Sequence, residues 1–152
     1  MDDKKRLGLI IEAINYCKRV RSMDMPASCY TKALREPIFF LWECRTDKRK
    51  HHAAKFRSKN AVGLSLSDGN LVYDHAIPFN LTQKELLALP EVTQESVQKV
   101  LLKHVAAVIT QEEHGQLGKS GYASKMPDDW DHIDPLARYK AVGIEIVENI
   151  PA

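Results

Sequence analysis

Apolar residues recur along the first part of the chain at the spacing of one helix face. Leu7, Ile10, Ile11, Ile14 and Cys17 follow the i, i+3, i+4, i+7 rule. Lys18, Arg19 and Arg21 close the segment with cations that suit a helix C-terminus. The pattern predicts an amphipathic helix over residues 3–21. After a connector containing Pro26, a second helical stretch is expected from Cys29 to about Glu43. Pro37 breaks or kinks it, because proline has no N–H to donate. Ile38-Phe39-Phe40-Leu41-Trp42 is the most apolar run of the chain and is expected in the core.

The period then changes. Ala61–Ser67 and Asn70–His75 read as strands, with Asp68-Gly69 between them as the dipeptide of a tight hairpin turn. Pro78 ends the second strand. Thr82, with Glu85 three residues on, reads as a capping box that opens a short helix with Leu86, Leu87 and Leu89 facing inward. Thr93 caps a longer helix to about His104, with Val97, Val100 and Leu101 on one face. Val105–Ile109 is apolar throughout, as a buried strand is, and Thr110 with Glu113 opens a helix over Gln111–Leu117. Asp134-Pro135 starts another over Leu136–Lys140, Gly143 stops it, and Ile144–Val147 reads as a last strand. The expected class is α+β: a helical N-terminal part, then a β-hairpin with packed helices. A basic helical region, residues 1–60, precedes a mixed domain, residues 61–152, either packed together as one domain or with the first region as an arm.

Composition narrows the classes. With 152 residues, 44% of them hydrophobic, the chain can bury a core and is not of disordered type. No window approaches the roughly 18 consecutive apolar residues of a membrane span. The start, Met1-Asp2-Asp3-Lys4-Lys5-Arg6, lacks a signal-peptide pattern, so a cytoplasmic protein with no membrane contact is expected. Cys17, Cys29 and Cys44 form an odd set without Cys-x-x-Cys spacing, which argues against a disulfide framework or a four-sulfur zinc site.

The formal net charge of +2 conceals an asymmetry. Residues 1–60 hold 15 Lys/Arg against 7 Asp/Glu, whereas residues 61–152 hold 7 against 13. Arg45, Lys48, Arg49, Lys50, Lys55, Arg57 and Lys59 concentrate the positive charge, a composition suited to salt-sensitive contact with nucleic-acid phosphates. Asp128, Asp129, Asp131 and Asp134 surround Trp130 and make an acidic C-terminal face on which Trp130 is a candidate knob for a protein partner. The acids lack the glycine and terminal glutamate of a calcium loop. No glycine-rich phosphate loop or serine-hydrolase elbow occurs.

Chemistry points to Asp74-His75-Ala76-Ile77-Pro78, at the end of an expected strand. A carboxylate can hold a cation and a neighbouring imidazole can take a proton from water. Successive strand residues face opposite sides, so the two share a site only if the backbone bends near Pro78. The segment resembles the Asp-His-x-x-Pro signature of HNH, or His-Me finger, endonucleases. The resemblance implies a ββα-metal-like core, one divalent metal (Mg, Mn, Ni or Zn) and phosphodiester hydrolysis. It further implies Asp74 as a metal ligand and His75 as general base. His114, in Thr110-Gln111-Glu112-Glu113-His114, is the implied helix-borne ligand, with His104 as the other candidate. Two alternatives stand beside this reading. One is a strand-end His75 hydrogen-bonded to a core carbonyl. The other is a non-enzymatic inhibitor or adaptor that binds protein or nucleic acid through its basic and acidic parts.

Overall fold

Helix α1, Asp3–Ser22, forms where the apolar stripe predicts it, and the computed structural model describes residues 1–150. The Asp2 carboxylate caps its start by accepting from Lys5 N–H at 2.8 Å. Leu7, Ile10, Ile14, Cys17 and Val20 are buried, and the cations of the last turn reach across to another helix. Lys18 donates to the Leu89 carbonyl at 2.9 Å and Arg21 to the Leu87 carbonyl at 3.1 Å. These close the C-terminal end of α4, Phe79–Leu87, whose last carbonyls have no partner within their own helix.

Helix α2, Ala27–Ile38, runs through Pro37 into a π-helical turn, Phe39–Glu43, after which comes a single helical turn, α3, Lys50–Ala53. Pro37 removes a donor from the regular ladder, and the turn that follows has widened so that Cys44 N–H reaches back five residues to the Phe39 carbonyl at 3.0 Å. The widening divides the most apolar run. Ile38 and Trp42 are buried, Phe40 is 66% exposed, and Glu43 turns inward. Thus the run is not uniformly core.

Helices α1, α2, α4 and α5 (Gln94–Leu101) and the π-turn share one apolar core. Helices from the first sixty residues therefore pack against helices drawn from beyond residue 78. The sheet likewise takes strands from both parts: its order is β2-β3-β1-β4, with β1 Phe56–Ser58, β2 Leu71–His75, β3 Ala106–Thr110 and β4 Ile146–Glu148. β3 runs antiparallel to β2 and parallel to β1, and β1 is antiparallel to β4. Leu71, Tyr73, Ala106 and Val108 contribute to one apolar cluster, while Val72, Ala76, Ala107 and Ile109 contribute to another with Leu117 of α6 (Gln111–Lys119) and Tyr139 of α7 (Ala137–Ala141). The class is α+β with a helical N-terminus.

The expected hairpin does not form. Residues 61–67 are not a strand: a 3₁₀ turn, Lys59–Ala61, leads into irregular chain whose Ala61 and Leu66 cover one face of the sheet. Asp68 makes an Asx turn, its carboxylate accepting from Asn70 N–H at 2.8 Å, and so starts β2 rather than joining two strands. The partner of β2 is β3, reached through α4 and α5. Helix α4 also begins earlier than expected, behind Pro78, leaving Thr82 buried inside it instead of at its cap. The Thr93 and Thr110 caps form as expected, and Ser96 completes a capping box with Thr93 as Glu113 does with Thr110. Gly143, at φ +76, ends α7 in a backbone conformation that glycine accepts without strain. Among the described residues no helix is long and apolar enough to cross a membrane.

Leu34 lies in the middle of the shared helical core with no exposed surface. Leu34→Ala is expected to lower stability by about 2–5 kcal/mol. Urea unfolding followed by tryptophan fluorescence and circular dichroism measures it, and both signals should move to the same lower midpoint.

Candidate metal centre

The site starts from the alternation of β2. Tyr73 and His75 face one side of the sheet and Asp74 the other, so no bend near Pro78 brings Asp74 and His75 together. The Asp74 carboxylate accepts from Arg138 Nη2 at 2.7 Å and from the Tyr139 hydroxyl at 2.6 Å. Arg138, 1% exposed, also donates to the carbonyls of His75, Ala76 and Tyr122. Its guanidinium grips the end of β2 and neutralises the one acid there. Burial, and then the Asp74 charge, pushes the Tyr139 phenol well above its ordinary range, keeping it a donor. Asp74 is therefore committed to a buried pair rather than to a metal site with His75.

On the opposite side His75 meets Glu43 and His104. The last turn of the π-helix delivers Glu43, and the tight turn from α5 into β3 delivers His104 beside the end of β2, where His75 pairs with Ala106. Glu43 Oε1 lies 2.6 Å from His75 Nε2 and accepts from the Tyr73 hydroxyl at 2.7 Å. Its Oε2 lies 2.8 Å from His104 Nε2. Thr82 Oγ1 is 3.1 Å from His104 Nδ1, so both edges of that ring are held. The Glu43 and His104 side chains are 3% and 0% exposed, while His75 keeps 23%.

Burial opposes the charged form of Glu43, but the hydrogen bonds with His104 and His75 outweigh it and hold its carboxyl well below the ordinary carboxylate range. Tyr73 moves the other way: burial first, then the Glu43 charge, pushes its phenol well above the usual value. The group thus contains a fixed anion with a neutral hydroxyl donor beside it.

Glu43, His75 and His104 each offer a ligand atom, all within 4.8 Å of one another, and the group could hold a metal ion. Nitrogen and carboxylate ligands at about 2.0–2.2 Å from a cation fit such a cluster after small outward shifts. Thr82 provides the outer hydrogen bond that fixes a ligating imidazole, since its hydroxyl can accept from Nδ1–H while Nε2 presents a lone pair. A cleft of about 530 Å³ opens beside His75, with Arg35, Asn80 and Gln83 among its walls. A second cavity of about 260 Å³ reaches Glu43 and His104 from the side of Trp42 and Arg45.

The sequence-derived candidates therefore separate. His75 is in the centre and His104, the alternative ligand, joins it. His114 is exposed on α6 and stands outside the group. Glu43 was missed, although a lone carboxylate after Ile38–Trp42 is a signal, because an acid on a buried helix turn requires partners.

The basic segment is mostly on the surface. Lys48, Lys50 and Lys55 are exposed, Arg49 pairs with Asp47 at 2.8 Å, and Lys59 lies 3.3 Å from Glu145. Arg45 stacks over Trp42 at 4.0 Å from its ring centre. Arg57 differs: it is 8% exposed and donates to Asn149 Oδ1 and the Val62 carbonyl, so it ties β1 to its surroundings and is not a surface cation. Trp130 is half-buried, its indole donating to the Asp134 carbonyl at 2.7 Å. Asp131 accepts from Ile133 and Asp134 N–H groups and organises that loop.

In comparisons with known proteins no family model matches the chain, and no curated protein or solved structure matches it significantly.

Removing one member of a buried ion pair strands the other. Arg138→Ala is expected to cost about 3–5 kcal/mol, whereas Lys140→Ala, at the exposed pair with Asp134, should change stability by less than about 1 kcal/mol. Parallel urea titrations of the two variants check the contrast.

Proposed function

We propose that the protein is a divalent-metal-dependent hydrolase of phosphodiesters in nucleic acid, with its metal held by Glu43, His75 and His104. The convergence of these three donors beside an open cleft carries the reading. Two imidazoles and one carboxylate suit zinc, nickel or manganese better than magnesium, whose preference is for oxygen donors. A metal bound there supplies a Lewis acid for the phosphoryl oxygen and an acidified water.

The chain's own residues do the rest. Glu43 lends negative charge, Tyr73 and Thr82 fix ligand orientation, and Arg138 holds the backbone from which His75 projects. Lys48, Arg49, Lys50, Lys55 and Lys59 offer phosphate contacts that carry no sequence information. The Asp-His-x-x-Pro resemblance favours the same chemistry. In this arrangement, however, the carboxylate partner of His75 is Glu43 and the second imidazole is His104. Such a substrate fits a cytoplasmic protein.

A second reading rests on one observation. Among the described residues His75 Nδ1 has no hydrogen-bond partner, and His75 lines the cleft while its Nε2 is held by Glu43. A carboxylate-oriented imidazole with its other nitrogen free is the geometry of a general base. In that reading His75 takes a proton from water, and His104 only anchors Glu43.

Two measurements decide between these. Calorimetric titration with Zn²⁺ or Mn²⁺ should show one site per chain, weakened at least about tenfold in His104→Ala and Glu43→Gln. Plasmid cleavage should require the metal and fall about 100-fold or more in His75→Ala. Cleavage that survives chelation and His104→Ala, yet is lost in His75→Ala, selects the general-base reading. Unchanged cleavage by His75→Ala overturns both.

A further inference from the structure

The cleft beside His75 holds a charge that the fold leaves unused. Two of its charged side chains, Asp74 and Arg138, neutralise each other at 2.7 Å. Arg138 spends its remaining guanidinium hydrogen bonds on carbonyls. Glu43 holds His75 from behind. Arg35 is different: it is exposed on the cleft wall, and among the described residues it makes no ion pair and no side-chain hydrogen bond. Its neighbour Glu36 does not pair with it. The position is set by helix geometry, because Ala27, Thr31 and Arg35 lie four residues apart along α2 and all three line the cleft.

We propose that Arg35 anchors the phosphate of the substrate, placing a phosphodiester against His75; this deepens the hydrolase reading and rests on it for the reaction, though not for the binding. A guanidinium presents paired N–H donors that match two oxygens of one phosphate, and it stays charged at any working pH. The two small residues before it on the helix, Ala27 and Thr31, leave the wall open, and a cleft of about 530 Å³ accepts a group of nucleotide size. Arg35 is thus a substrate-positioning residue: it holds the group being cut and touches none of the three metal-site side chains through a hydrogen bond or ion pair.

The test separates binding from reaction. Binding of thymidine 5′-monophosphate to the metal-free full chain is followed by NMR shift titration. Arg35→Gln should weaken it at least about fivefold, Arg35→Lys should restore part of the loss, and Lys119→Gln, exposed on α6 and away from the cleft lining, should leave it unchanged. In cleavage of bis(p-nitrophenyl) phosphate with Mn²⁺, Arg35→Gln should raise KM about tenfold and leave kcat within about twofold, with Mn²⁺ affinity unaltered. Equal nucleotide binding by wild type and Arg35→Gln overturns the assignment, as does equal weakening in Lys119→Gln. If wild type binds the nucleotide through Arg35 but neither takes metal nor cleaves, the hydrolase reading fails while the anion site stands.

Discussion

The Glu43 carboxylate is the point at which the two halves of the molecule are chemically joined. It is an anion on a helical turn, almost removed from water, and such a charge is tolerated only when donors surround it. Three do: the Tyr73 hydroxyl, His75 and His104. Tyr73 and His75 come from an edge strand, His104 from the turn that starts the next strand, and Glu43 from the helical layer. Breaking any of these contacts would leave a buried charge short of partners, so the register of β2 against β3 and the seating of the π-turn depend on each other.

A second polar group holds the other side of the same strand end. Arg138 binds the Asp74 carboxylate and the carbonyls of His75 and Ala76, so three consecutive residues are gripped by one side chain. The division follows from strand geometry. Alternate side chains point to opposite faces, and each face found its own counter-charge, an arginine for Asp74 and a glutamate for His75. An acid and a histidine adjacent in sequence are thereby separated in space, and their contributions to any chemistry differ accordingly: Asp74 stabilises, His75 opens to the cleft.

Most local signals in the sequence were legible, the Thr82–Glu85 box excepted because α4 already starts behind Pro78, and non-local pairings were not. The stripe Leu7 to Cys17 and the Thr93 and Thr110 caps depend on residues a few positions apart, and the elements appear where those signals stand. The hairpin failed because which strand pairs with β2 is settled by the whole sheet. Ala106–Thr110 is the more apolar segment and takes the interior position between β2 and β1, whereas residues 61–67 cap a face instead. Within the site, His75 was legible from its motif and His104 as an alternative ligand. Glu43 was not: a lone acid after an apolar run signals that partners are needed, but nothing says that they stand 30 and 61 residues away. His114 had the right residue type in the wrong place: its helix turns Glu113 inward, where Ser58 donates to the carboxylate at 2.5 Å, and leaves His114 in solvent.

The placement of charge around the centre then constrains what reaches it. Arg45 and Lys55 line the smaller cavity on the side of Glu43 and His104, and Arg35 lines the larger cleft on the side of His75. Positive side chains flank the carboxylate–imidazole group from both openings, while the acids Asp128, Asp129 and Asp131 lie on a different loop and Asp74 is neutralised by Arg138. Because fields add over such distances in partly enclosed clefts, a polyanion lowers its energy on approach from either side and a cationic ligand raises it. Between the two openings stands Glu43, whose anionic form the surrounding hydrogen bonds favour. The outer cations favour an anionic group and the inner carboxylate favours a cation, which is the pairing that the proposed hydrolase requires.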